Sequence, residues 1–142
     1  MGKIVIISGP SGAGKTTVCA LLQKYPGVRK SISVTTRPPR PTEKNGESYH
    51  FVSIPEFEEM IRNGVLAEHA RYCGHNYGTL VNTLKESLAS DTLLILEIEV
   101  QGALQIMEKF PEAISIFLLP PNSDTLGQRL LKRNTNKKQD IQ

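Results

Sequence analysis

Residues 9 to 16 contain glycines, a lysine and a threonine at a spacing that can bind phosphate. Glycines let the backbone turn tightly, so that consecutive N–H groups point at phosphate oxygens. The side chain of Lys15 can reach the β- and γ-phosphates of a nucleotide, and the hydroxyl of Thr16 can bind Mg²⁺. The pattern G-x-x-x-x-G-K-[ST] is matched at its four fixed positions by Gly9, Gly14, Lys15 and Thr16. The residues between them are Pro10, Ser11, Gly12 and Ala13. This segment predicts a site for a nucleoside triphosphate.

The surroundings of this loop support that prediction. An apolar run from Ile4 to Ile7 comes before it, and a helix-like run from Thr17 to Leu22 follows it. A helix that begins here points the positive end of its dipole at the bound phosphate, with Thr17 in its first turn. The alternative is a glycine-rich turn that fits the pattern by chance, and the order strand, loop, helix argues against it.

Two arginines form a second candidate site for phosphate. Arg37 and Arg40 lie three residues apart in a loop that also contains Pro38 and Pro39. A guanidinium group presents a planar fork of donors that suits a phosphate dianion, and the prolines reduce the entropy lost on binding. A solvated basic turn with no partner is an equally good interpretation of this segment by itself.

Polar residues elsewhere favour the binding interpretation. Tyr49 and Tyr77 each offer a phenol, which is a neutral donor that can complete a phosphate site. Glu68 is flanked by apolar residues, and a carboxylate there matches the adjacent N1–H and 2-amino donors of guanine, which adenine lacks. Taken singly, the tyrosines fit a small β layer and Glu68 fits an edge strand facing water. Taken together, these residues favour a guanine nucleotide as the acceptor of phosphate.

Composition and charge exclude several classes of function. The 142 residues suffice for one domain with a core, and 17 basic against 14 acidic residues give a net charge of only +3. We therefore expect no nucleic-acid partner. No apolar run is long enough to cross a bilayer, and the first residues lead directly into a strand, so we expect neither a membrane partner nor a signal peptide. Two cysteines without a metal-binding pattern favour a reducing cytoplasm.

Apolar runs alternate with helical patterns, which is typical of a parallel α/β sheet. One domain is predicted, with its core at residues 1–32 and 80–121, a mostly β insertion at 33–79 that is rich in turn residues, and a partial helical lid at 122–142. Predicted strands lie at Lys3–Ser8, Thr92–Ile98 and Ala113–Leu119, with a short strand around Lys30–Val34. Predicted helices run from the loop to Tyr25 and over Pro55–Asn63, Val81–Leu88, Ala103–Phe110 and Asp124–Arg133.

These segments together resemble guanylate kinases, over essentially the whole chain. The phosphate loop alone is shared by many nucleotide-binding families, whereas the full set of motifs is specific. The matching segments are the loop, residues 31–40, residues 45–52, Glu68, Tyr77 to Thr79, Val100 to Ala103, and Ile116 to Pro121 with Arg129 and Leu130.

The resemblance implies a fold and a reaction. The fold is a phosphate-loop kinase of three layers around a parallel sheet, with an inserted mixed-β GMP-binding subdomain and a partial helical lid. The reaction is phosphoryl transfer from ATP, with Mg²⁺ at Thr16, to GMP; dGMP or IMP is left open as an acceptor. Lys15, Arg37 and Arg129 take catalytic roles, and Arg129 and Arg133 belong to the lid. A basic amphipathic helix without a substrate contact is an alternative interpretation of Arg133.

The resemblance also implies which residues bind GMP. Its phosphate is held by Arg37, Arg40, Tyr49 and Tyr77, and its base is read by Ser33, Glu68 and Thr79. Glu99 stands where the family usually has the second aspartate of an Asp-x-Asp pair. Because Glu97 and Glu99 are both glutamates here, each carboxylate reaches one methylene further, and a direct contact of either with Mg²⁺ or guanine is left open.

Two further expectations follow from the resemblance. Relatives normally continue past the lid with a further arginine-bearing helix and a strand that would pair beside Ala113–Leu119, so we expect an exposed apolar sheet edge that favours self-association. The alternative function is a non-catalytic phosphopeptide-binding module with the same fold. Such modules commonly have a degraded phosphate loop, whereas this loop is intact.

Overall fold

Strands and helices alternate in the first and last parts of the described chain, as the α/β pattern predicts, and strands predominate between them. The computed structural model describes residues 2–10 and 13–119. In chain order its elements are β1 (Lys3–Ser8), α1 (Lys15–Leu22), β2 (Val28–Lys30), β3 (Val34–Thr35), β4 (His50–Phe51), α2 (Ile54–Arg62), β5 (Leu66–Tyr72), β6 (His75–Leu80), α3 (Val81–Leu88), β7 (Leu93–Glu97), α4 (Val100–Lys109) and β8 (Ile114–Phe117).

The first sheet is parallel and has the strand order β2-β7-β1-β8. Strand β1 lies between β7 and β8, with Ile6 opposite Leu96 on one side and Ser115 on the other. Because the carboxyl ends of parallel strands meet at one edge of a sheet, the phosphate loop after β1 and the acidic segment after β7 are brought together there.

Helices cover both faces of this sheet. Alternate residues of β1 and β7 point to opposite faces, as the two-residue period of a strand requires. One face packs on α3 and α4 through a cluster that includes Ile4, Ile6, Leu94, Leu96, Leu84 and Ile106. The other face packs on α1 through Val5, Ile7, Ile95 and Cys19. The predicted three-layer α/β core is thereby confirmed.

The second sheet is mixed and has the order β4-β3-β6-β5. Strands β3 and β4 are parallel, whereas β6 is antiparallel to both β3 and β5. Its core is formed by Val34, Phe57 and Leu66, with Phe57 supplied by α2. The sheet confirms the predicted mixed-β part of the fold. The division of the chain into core, insertion and lid stays a prediction.

The prediction of a single strand at residues 30–34 is wrong. Strand β2 ends at Lys30 and pairs with β7, whereas β3 begins at Val34 and pairs with β4 and β6. The residues between them carry the chain from one sheet to the other. Composition indicates an extended segment but does not identify the sheet with which each half pairs.

Strand β8 is the edge of the parallel sheet within the described residues. Its side chains are exposed, including Ile114 at 46 %, Ile116 at 39 % and Phe117 at 52 %. This agrees with the expectation of an apolar edge, and self-association stays a prediction. The predicted helix at Asp124–Arg133 lies outside the described residues. Among the described helices, none has the length and apolar character that crossing a membrane requires.

Helix α2 begins with a reciprocal cap at Ser53. The Ser53 hydroxyl oxygen accepts a hydrogen bond from the Glu56 backbone N–H at 3.2 Å, and the Glu56 carboxylate accepts one from the Ser53 backbone N–H at 2.9 Å. This cap fixes the first turn, and the same turn carries Phe57 into the core of the mixed sheet.

Ser53→Ala should lower the free energy of unfolding by about 1 kcal/mol, because the Glu56 backbone N–H at the helix start loses its ordered acceptor, the Ser53 hydroxyl oxygen. Chemical denaturation measures the change. The matched control is Glu58→Ala, an exposed position on the same helix, which should change stability by less than about 0.5 kcal/mol. Equal effects of the two substitutions would show that the cap contributes nothing.

Candidate functional site

A cleft of about 780 Å³ lies between the carboxyl edge of the parallel sheet and the mixed sheet. Residues of both sheets line it, so the two groups of polar residues recognised in the sequence face one cavity. The predicted site residues on its lining are Gly9, Pro10, Gly14, Lys15, Thr16, Ser33, Arg37, Arg40, Tyr49, Glu68, Tyr77 and Glu99. Ser11, Gly12, Arg129 and Arg133 lie outside the described residues. Ala13, Thr17 and Thr79 are not part of the lining.

Glycine is required at two positions of the phosphate loop. Gly9 has a φ of 145°, and a Cβ added there would lie 2.4 Å from the carbonyl oxygen of Leu118. Gly14 has a φ of 92° and caps α1 in the left-handed conformation. Both conformations are strained for residues with a side chain, and α1 begins directly after Gly14. The loop therefore places the N-terminus of α1 at the cleft.

The functional groups of Lys15 and Thr16 face the end of the parallel sheet. The ammonium of Lys15 donates to the carbonyl oxygen of Gly9 at 2.7 Å. The hydroxyl of Thr16 donates to a carboxylate oxygen of Glu97 at 3.1 Å, and Lys30 lies 3.0 Å from the other oxygen. Burial alone raises the pKa of Glu97, and the charge of Lys30 with the Thr16 hydrogen bond outweighs it, so that this pKa is lowered.

These contacts indicate how Glu97 acts on the Thr16 hydroxyl. Its carboxylate is ionised and holds the proton of the Thr16 hydroxyl, which leaves the lone pairs of that oxygen free to bind a cation. No group of three His, Cys, Asp or Glu side chains suited to holding a metal by themselves occurs in the described part of the chain. A hydroxyl and a nearby carboxylate are the oxygen donors that Mg²⁺ uses when substrate phosphates supply its other ligands.

Arg37 is held by a carboxylate that the sequence analysis did not single out. Glu43 accepts two hydrogen bonds from the Arg37 guanidinium, at 3.0 and 2.8 Å, and a third from the Arg40 backbone N–H at 2.8 Å. The hydrogen bonds from Arg37 and then Arg40 lower the pKa of Glu43 to about 2. The signal for Glu43 in the sequence was an acidic residue in the same proline-rich loop, six residues after Arg37.

Two phenols lie beside this arginine. The Arg37 guanidinium is 5.2 Å from the centre of the Tyr49 ring, and the rings of Tyr49 and Tyr77 are 6.0 Å apart. Burial, followed by the proximity of Tyr77, raises the pKa of Tyr49, so this phenol stays neutral. Two arginines, one of them paired with Glu43, and two neutral phenols thus supply donors suited to a dianion such as phosphate.

Glu68 is buried, contrary to the alternative of an edge glutamate facing water. Its side chain is 3 % exposed and accepts a hydrogen bond from the Thr79 hydroxyl at 2.8 Å. Burial is the main cause that raises the pKa of Glu68 to about 7, and the charge of Glu99 adds to it. The mixed sheet thus presents a buried carboxylate at the cleft, with Ser33 on the same lining.

Glu99 lies between the two halves of the cleft. It caps α4, and its Oε1 atom is buried without a hydrogen-bond partner. Burial raises the pKa of Glu99, and the nearby charge of Lys15 partly offsets that rise. A buried oxygen with a free lone pair is a position where a ligand donor or a cation can bind. The roles assigned to Glu99 and the other site residues stay predictions.

A phosphate loop at the end of a parallel sheet, opposite an arginine–phenol pocket on a mixed sheet, defines an α/β nucleotide-binding protein of the phosphate-loop class. The family model described as guanylate kinase matches residues 1–142. A relative named guanylate kinase from Desulfitobacterium hafniense is 46 % identical over 142 residues, covering 99 % of this chain and 71 % of its own length. A guanylate kinase from Nostoc is 48 % identical, with the same shares covered.

A solved structure gives the same result. The crystal structure of guanylate kinase from Anaplasma phagocytophilum superposes with a TM-score of 0.79 at 36 % identity, over 92 % of this chain and 67 % of that one. The chain therefore belongs to the guanylate kinase family, which is a family of nucleoside monophosphate kinases.

The pKa of Glu68 predicts a specific dependence of stability on pH. Its pKa is about 7 in the folded chain and 4.5 in an unfolded one, so the folded state binds more protons between these values. The free energy of unfolding should therefore fall as pH rises from 4.5 to 7 and stay low above it, by about 3 kcal/mol in total. The control is Glu68→Gln, which keeps the shape and cannot ionise. Denaturation across this pH range should show the fall in the native chain only; parallel profiles would contradict the assigned pKa.

Proposed function

We propose that the protein transfers the γ-phosphoryl group of ATP to GMP, giving ADP and GDP. The observation that carries the proposal is the placement of the phosphate loop and the buried Glu68 carboxylate on facing sides of one cleft. The names of the relatives and the residues of the acceptor side support it. The cytoplasm is the proposed location of the protein, and the free thiols of Cys19 and Cys73 support it.

The donor nucleotide binds at the phosphate loop in this proposal. The N-terminus of α1 and the loop amides neutralise the phosphates, and Lys15 leaves the Gly9 carbonyl to contact the transferring group. Thr16, beside Glu97, would hold the Mg²⁺ that comes with ATP, which would supply charge neutralisation on the phosphates.

The acceptor binds on the mixed sheet. Arg37, already oriented by Glu43, holds the GMP phosphate together with Arg40 and the phenols of Tyr49 and Tyr77. The ionised Glu68 carboxylate accepts hydrogen bonds from N1–H and the 2-amino group of guanine. Thr79 fixes one oxygen of that carboxylate, and Ser33 borders the same space. An adenine base would leave the carboxylate without its partners, which is the source of selectivity.

The chemistry needs alignment and charge stabilisation more than acid–base catalysis. The phosphate of GMP is already an anionic nucleophile, and the transition state spreads negative charge over the equatorial oxygens of the transferring group. Lys15 and Arg37 stabilise that charge from opposite sides of the cleft. The lid arginines Arg129 and Arg133 are proposed to complete the site from residues 122–142.

Two measurements test the function on the full chain. Calorimetry with GMP, AMP, CMP and UMP should show binding of GMP alone, and a coupled assay of ADP release should show turnover with GMP alone. Binding of none of the nucleotides would overturn the proposal. Binding of a phosphopeptide without binding of GMP would instead support the non-catalytic module.

Lys15→Ala should lower kcat by roughly 1,000-fold while the dissociation constant of GMP changes little, since the ammonium acts on the transferring phosphoryl group. Lys85→Ala, at an exposed position of α3, is the control and should keep native kcat. The coupled assay gives kcat, and calorimetry gives the affinity for GMP. If Lys15→Ala weakens GMP binding as much as turnover, Lys15 does not have this role.

A further inference from the structure

Helix α4 approaches the Glu68 carboxylate at one residue, Gly102. A Cβ built on Gly102 would lie 2.1 Å from Glu68 Oε1 and 3.0 Å from its carboxyl carbon. The next nearest atom, on the Ile98 side chain, is at 3.6 Å, which is an ordinary contact. The φ of Gly102 is not positive, so its backbone conformation does not call for glycine. Space for the carboxylate is therefore the reason for glycine at this position.

A β-bulge turns Glu68 toward that space. In the β5–β6 pair, Leu66 is opposite Leu80 and Glu68 is opposite Thr79, so that Ala67 has no partner residue. Leu66, Ala67 and Glu68 are three consecutive buried residues of β5, with Leu66 in the core of the mixed sheet and Ala67 in the cluster against α3 and α4. Directly after this irregularity, the Glu68 carboxylate lies against Gly102 of α4.

Other side chains of α4 hold β5 in this position. The Lys109 ammonium donates to the Ala67 carbonyl oxygen at 2.6 Å. The Gln105 side-chain amide donates to the His69 carbonyl oxygen at 2.8 Å and accepts from the His69 backbone N–H at 3.1 Å. Residues three and four apart lie on one face of a helix. This face of α4, with Gly102, Gln105 and Lys109, therefore contacts three consecutive residues of the strand.

We propose that Gly102 is a positioning residue for base recognition. Because glycine has no side chain, the Glu68 carboxylate fits between α4 and Thr79, where this carboxylate contacts the purine. The inference rests on the proposed function and adds a specificity-determining residue to it. The ligand concerned is a purine that presents two adjacent N–H donors.

The effect of a methyl group at position 102 depends on the atoms that the methyl group would contact. The clashing atom is the far end of a flexible side chain, so the carboxylate can move aside without disturbing the backbone of α4 or β5. Displacement breaks the hydrogen bond from Thr79 and removes the acceptor pair from the base. Folding is largely kept, whereas affinity for guanine is lost.

Gly102→Ala tests this on the full chain. The dissociation constant of GMP should rise about 10- to 100-fold, the cost of losing one or two hydrogen bonds to a charged acceptor, while that of ATP changes less than about twofold. Glu108→Ala, an exposed position on the same helix, is the control and should keep both affinities. An unchanged affinity of Gly102→Ala for GMP overturns the inference.

A second measurement does not depend on nucleotide. Gly102→Ala is compared in the native chain and in a Glu68→Ala chain by thermal unfolding. Alanine stabilises a helix relative to glycine, so the substitution should raise Tm when Glu68 is absent and raise it less, or lower it, when Glu68 is present. Equal changes in Tm in the two chains would mean that the added methyl meets something other than Glu68, and would overturn the inference.

The outcomes separate the two proposals. If the native chain binds no GMP, the proposed function fails, and the Tm comparison still decides whether Gly102 makes room for Glu68. If the native chain binds GMP and Gly102→Ala binds it equally well, the role of Gly102 fails and the proposed function stands.

Discussion

The parallel pairing of β1 with β7 is the constraint on which the site depends. It places Ile7 opposite Glu97, so that the phosphate loop and the acidic segment after β7 emerge side by side. Helix α4 begins directly after that segment and is thereby brought against β5 of the mixed sheet. One strand pairing therefore sets both the donor side of the cleft and the helix that borders its acceptor side.

Four carboxylates of the described residues line this cleft; Glu43 holds Arg37, and the surroundings of the other three give them different chemistry. Lys30 and Thr16 hold Glu97 in its ionised form beside the phosphate loop. Burial, with a smaller contribution from the charge of Glu99, raises the pKa of Glu68 to about 7. Glu99, between them, has a raised pKa and a buried oxygen without a hydrogen-bond partner. Glutamates are thus suited to binding a cation on one side of the cleft and to accepting hydrogen bonds from neutral N–H donors on the other side.

The cationic groups are positioned by neighbours within the same loops. Arg37 is fixed by two hydrogen bonds that it donates to Glu43 and by the ring of Tyr49, and Lys15 donates a hydrogen bond to the Gly9 carbonyl oxygen. A bound phosphate would find Arg37 already ordered, which lowers the conformational entropy lost on binding, whereas Lys15 has to exchange the Gly9 carbonyl for a phosphate oxygen.

The sequence by itself determined the class of fold and most of the residues at the cleft, because turn glycines, apolar alternation and arginines beside prolines are local signals. The apolar residues around Glu68 marked this residue in the sequence. The burial of Glu68, however, depends on a β-bulge that no local pattern marks. Only the tertiary structure decided that residues 30–34 divide between two sheets, that Glu43 holds Arg37, and that Gly102 makes room for Glu68. These features arise where segments distant in sequence pack together, and strand partners and close approaches are set by that packing rather than by local preference.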